Sequence, residues 1–249
     1  MIEYPLLVLG LWGLWRLNRR RISATNKLWL TAGSVLLVLS SIPPFSTWSF
    51  SSLPNHMISH IVLMFLAPLC LVASGEVPPL AEQVHPLVPI VALNVTMVVF
   101  HLPAVFDASM SSGALRALIV EPLFFLSGVW FFSVVLAPHS EQRPIQLRWQ
   151  MGGVVLTTVV MFVLAMSMSI FTRTAWYHSM ATMPGMEMQS DFGSQQLSAA
   201  ILWICGDVWA VPLFVVLVRR LASRDGSLLQ TVDRYASPSG GGKPCTLAK

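Results

Sequence analysis

Charge in this chain is concentrated in the gaps between long apolar runs. Leu115–Ala137 reads LRALIVEPLFFLSGVWFFSVVLA, and Leu197–Val218 is nearly as apolar. Backbone N–H and C=O groups in such a run can be satisfied only within a helix if the surroundings are hydrocarbon. The bulk numbers agree: 249 residues, 55% hydrophobic, 10% charged and a mean hydropathy of +0.68. A soluble domain carries about a quarter of its residues as charges, so the expectation is an all-α polytopic membrane protein.

Seven spans are expected, at Tyr4–Leu17, Leu28–Ile42, His56–Ala73, Leu87–Phe106, Leu115–Ala137, Met151–Phe171 and Leu197–Val218. The first two are short for a hydrocarbon core about 30 Å thick, a mismatch that tilt or local thinning relieves. Residues 1–222 read as a seven-helix transmembrane domain. Residues 223–249, with SPSGGG and scattered charges, read as a flexible cytoplasmic tail.

The basic residues set the orientation. With the N-terminus outside, Arg16, Arg19, Arg20, Arg21, Lys27, Arg143, Arg148 and the six of the C-terminal end lie inside; only Arg116 and Arg173 lie outside. That bias predicts the N-terminus outside and the C-terminus in the cytoplasm of a bacterial plasma membrane protein. It also explains the net charge of +4 without nucleic acid as a partner; the lipid bilayer is the surrounding. Cys70, Cys205 and Cys245 are far apart, so neither a disulfide framework nor a CxxC metal site is indicated.

This topology places ligand-capable groups in one layer beneath the outer surface. His56 and His60 stand four apart in NHMISH, on one helix face, where they can share an ion. Met57 lies between them, and Met64 repeats the spacing inward. His101 near the outer end of the fourth span and Glu121 in the fifth lie at similar depths of about 8–9 Å. Ionisable groups at such depth usually face a bundle interior or a wet cavity. The outer loop HSMATMPGMEMQSDF adds His178 with Met180, Met183, Met186 and Met188, four thioethers within nine residues. Thioether selects Cu(I), whereas Ca²⁺ or Mg²⁺ would call for carboxylates, so copper is the expected metal.

Asp207, deep in the last span, is expected to find a partner, and Gln195 and Gln196 to bond neighbouring helices. Pro43, Pro44, Pro68, Pro103 and Pro122 should break or kink helices and free carbonyls. His85 and His139 read as solvated loop histidines.

NHMISHIVLMFLAPLCLVASG at 55–75, HP at 85–86, FHLPAVFDAS at 100–109, VWFFSVVLAP at 129–138 and QQLSAAILW at 195–203 occur in an order that resembles the CtaG family of the Bacillus type, the caa3-type cytochrome c oxidase assembly factors. The resemblance spans roughly residues 50–220. In the fifth span the family often reads His-x-x-Glu-His; Glu121 is kept, with Leu118 and Pro122 at the two histidine positions. Ser194 stands where the family has aspartate before the glutamine. The resemblance implies an assembly factor for haem–copper oxidase rather than an enzyme, with oxidase subunits or another copper-handling protein as partners.

Three other readings use the same residues. HMISH has zincin spacing, yet Met57 and Ile58 stand where the catalytic glutamate is needed. A haem-binding membrane oxidoreductase would use His60 and His101 as axial ligands. A copper transporter would carry its site near the midplane between internal repeats, which are absent here.

Overall fold

The computed structural model describes residues 4–19, 22–77, 84–137, 145–177 and 192–224. It consists of α1 (Tyr4–Arg19), α2 (Ala24–Ser41), the short α3 (Phe45–Ser49), α4 (Leu53–Ala73), α5 (Leu87–His101), α6 (Pro103–Ser111), α7 (Gly113–Val135), α8 (Ile145–Ser169) and α9 (Phe192–Arg224). No strand occurs among the described residues. Four helices, α4, α7, α8 and α9, are long and apolar enough to cross a bilayer, and the bent pair α5–α6 makes a fifth. The expected first two spans are helices, but α1 and α2 do not reach the length and hydropathy of a span by themselves.

Several boundaries differ from expectation, two of them for a clear local reason. The helix containing His56 starts at Leu53, because Ser52 caps it through a bond from Asn55 N–H (3.3 Å) and Pro54 fits its first turn. The fourth span does not run on to Phe106. Leu102 precedes Pro103 and adopts extended backbone (φ −66°, ψ 131°), so the chain bends by 78° between α5 and α6. The last helix is longer than Leu197–Val218 at both ends. The proposed tail lies outside the described residues beyond Arg224.

Prolines act differently inside α4 and α7. Each helix contains one wide π turn, at Val62–Leu66 and at Arg116–Val120, and each turn comes just before a proline, Pro68 and Pro122. Proline has no N–H for the carbonyl four residues back, and its ring collides with that carbonyl. Widening the preceding turn relieves the collision without ending the helix. In α4 the affected carbonyl is that of Met64, and Gly128 of α7 lies against it. A Cβ on Gly128 would stand 2.1 Å from Met64 O and 2.9 Å from Pro68 Cγ.

Polar contacts tie neighbouring helix ends together. Arg16 at the end of α1 pairs with Glu76 just after α4 (3.2 Å), so these two ends share a face. His85, before α5, packs edge-on to Trp149 of α8 at 5.0 Å, and its Nδ1 accepts from Leu87 N–H. The Gln150 amide of α8 donates to the carbonyls of Val134 and Ala137 at the end of α7. The main core lies among α4, α5, α7, α8 and α9, while α1 and α2 dock through Leu6 and Leu37 onto Leu63, Ala67, Phe125 and Val129. Close approach there uses Gly13 against Ser34 and Gly33 against Leu71.

Candidate metal centre

His56 and His60 leave α4 on one face in the regular turns just before the wide one, with ring centroids 4.2 Å apart. His101 is the last residue of α5, and the break at Leu102 lets its helix end beside them, 5.8 Å from His60. The three rings are 3%, 8% and 3% exposed, far below what a solvated imidazole shows. The bend also carries Phe106 of α6 back over the cluster, 5.5 Å from His56. Phe50 flanks His56 from the other side at 5.5 Å, and Phe124 of α7 packs on His60 at 4.5 Å.

One tautomer is fixed by the fold. His101 Nδ1–H donates to the Met97 carbonyl at 2.6 Å, which leaves the lone pair on Nε2. That Nε2, together with His56 Nδ1 and His60 Nδ1, is buried without a hydrogen-bond partner among the described residues. An orphaned buried polar atom costs about 1–3 kcal/mol, so three together are an unusual concentration. A bound cation would satisfy all three. As the side chains stand, no group of three or more His, Cys, Asp or Glu among the described residues closes on a single ion position. The imidazoles are gathered, and ring rotation would be needed to aim them at one point.

Glu121, expected in the same layer, is engaged with Arg116: its Oε1 accepts from Arg116 Nε at 3.1 Å, and both side chains are buried. Residues five apart sit on different faces of a regular α-helix, and the wide turn Arg116–Val120 is what brings them together. The guanidinium also lies 3.8 Å above the Phe50 ring, whose neighbour is His56. Arg116, counted from the sequence as an outside charge at the start of the fifth span, is buried within the protein. Met57 and Met64 are both buried in the main apolar core; the wide turn interrupts the four-residue stripe running from His60 to Met64.

Residues after α8 cover the cluster at the end of α5. Tyr177 is buried, packs tilted on Phe106 with ring centroids 4.1 Å apart, and donates its hydroxyl to the carbonyl of His101 at 3.1 Å. Burial, with the charge of Asp107 second, pushes its phenol above the ordinary tyrosine range. Gln195, near the start of α9, holds this cover: its amide donates to Met168 O (2.7 Å) and its carbonyl accepts from Trp176 N–H (2.6 Å). That bears out the expected role for Gln195. His178, Met180, Met183, Met186 and Met188 lie outside the described residues, beginning one position after Tyr177. Reading the sequence missed Tyr177, Phe106 and Arg116. Phe106 alone had a signal, since it follows the HLP bend by three residues.

A family model for the cytochrome c oxidase caa3 assembly factor, Caa3_CtaG, matches residues 8–224. The chain belongs to this family. Comparison with curated proteins and with solved structures returned no match. The matched stretch covers every described helix apart from the first residues of α1, so the histidine cluster, the Arg116–Glu121 pair and the Tyr177 cover all fall within the Caa3_CtaG region.

Proposed function

We propose that this Caa3_CtaG protein carries copper as cargo for a haem–copper oxidase, holding it at His56, His60 and His101 and passing it to an apoprotein partner. The observation that carries the reading is the gathering of three buried imidazoles whose free nitrogens have no other partner among the described residues. Neutral imidazole suits copper, and the outer loop with His178, Met180, Met183, Met186 and Met188 supplies the soft donors that select Cu(I). The step is ligand exchange: thioethers capture the ion, the histidines hold it, and the partner's ligands take it. No bond of a substrate is made or broken, so the protein is not an enzyme. Met57, Met64 and Glu121 support the walls of the site.

The reading places the chain in a bacterial plasma membrane with seven spans. The N-terminus and the histidine layer are outside and the C-terminus is cytoplasmic, following the bias of basic residues. The partners are oxidase subunits or another copper-handling protein. Against the haem alternative stands the packing around His60: His56, His101 and Phe124 crowd its ring at 4.2, 5.8 and 4.5 Å, where a macrocycle would need space.

The test is Cu(I) competition against a chelator, using detergent-purified protein under reducing conditions. We expect about one tightly held copper, lost in the His56→Ala/His60→Ala double variant. Binding unchanged in that variant moves the site to the methionine loop; no copper in either protein overturns the reading.

A further inference from the structure

Asp207 departs from expectation. It lies ten residues into the apolar part of α9 counted from Leu197, a depth of about 15 Å and so close to the middle of a bilayer about 30 Å thick. Instead of finding a partner inside the bundle, its side chain is on the exterior, and no described residue bonds to or pairs with it. It borders two adjoining clefts of about 250 and 190 Å³ between α8 and α9, shared with Thr158 and Val159 and otherwise lined mainly by apolar side chains. The helices around it are peripheral: 39% of the α8 span and 33% of the α9 span are buried, against 67% for α4 and α7.

A carboxylate facing hydrocarbon is costly and, in membrane proteins, almost always meets a protein partner or water. Its chemistry specifies a donor, and the clefts beside it specify a side chain arriving on a helix, at the same depth. We infer that the α8–α9 face around Asp207 is the seat of a transmembrane helix from another protein, one that presents a hydrogen-bond donor such as Lys, Arg, His, Asn or Gln at mid-bilayer. A second copy of this chain fits less well, because a two-fold contact across this face would set Asp207 against Asp207. For a member of an oxidase assembly family, the first candidate is a helix of the oxidase itself. The inference rests on the family and on this face, and it is independent of copper.

The full-length chain, affinity-tagged, is extracted from its own membranes in mild detergent, and the haem–copper oxidase recovered with it is measured by immunoblot and reduced-haem spectrum. Asp207→Leu is expected to lower that recovery about threefold to tenfold, a span set by interhelical polar contacts in membranes. Asp207→Asn, which keeps an acceptor, should lose less. Val211→Trp fills the neighbouring cleft without touching the charge and should lose as much as Asp207→Leu. All three variants should stay monodisperse, since Asp207 bonds to nothing inside the described chain. Equal recovery in every variant overturns the inference, and so does Asp207-dependent capture of a second, differently tagged copy in place of oxidase. Failure of copper binding in the unmodified protein would sink the cargo reading and leave this one standing.

Discussion

Arg116 shows how one residue can escape a reading by charge. Counting basic residues treats every arginine as a surface marker; here the guanidinium is packed on Phe50 and paired with Glu121 inside the protein. Removing one member of a buried pair costs about 3–5 kcal/mol, because the remaining charge keeps its desolvation penalty. Arg116→Ala is therefore expected to lower stability in detergent by about that amount, while Arg116→Met/Glu121→Leu recovers most of the loss. Thermal or SDS unfolding of the two proteins checks this, and a double variant as weak as the single one would refute it. The histidine pair was legible because a spacing of four on an apolar helix leaves little choice of geometry. His101 was legible by depth alone. Tyr177 was not, since its partner His101 is 76 positions away and nothing local announces the contact.

Among elements, the prolines decide the shape of the site's walls. All of them read as helix breakers, yet only Pro103 breaks a span outright, by forcing Leu102 into extended backbone. Pro68 and Pro122 leave wide turns inside continuous helices, an outcome that depends on whether a neighbour can accept the displaced backbone. In α4 that neighbour is Gly128, which leaves Met64 O the room a side chain would take. Gly128→Ala is expected to cost at least about 1–3 kcal/mol, as overpacking does. Gly152→Ala on α8 meets nothing within 4 Å and should be neutral or stabilising by about 0.5–1 kcal/mol. Unfolding midpoints of the two variants, measured side by side, separate the cases; equal values would mean that α4 and α7 do not cross as closely as described.

At the scale of the whole molecule, hydropathy alone was enough for the class of fold and for its five strongest spans, because bilayer thickness sets their length. It said less about α1 and α2, whose place comes from packing on α4 and α7 rather than from apolar length. The proposed topology makes Cys245 a cytoplasmic marker, since Cys70 is buried and Cys205 sits deep in α9. A membrane-impermeant maleimide should label Cys245 in inverted vesicles and leave it untouched in intact spheroplasts; labelling of intact spheroplasts would reverse the orientation. The covering of the histidines has a consequence for speed. Rings of Phe50, Phe106, Phe124 and Tyr177 surround or overlie the imidazoles, and Tyr177 is latched to His101's own carbonyl. On the copper reading proposed above, an ion held there would not leave at the pace of bare metal–nitrogen exchange. Its dwell time would follow how often the tyrosine contact opens, so that tight retention and prompt release would be tuned by different residues.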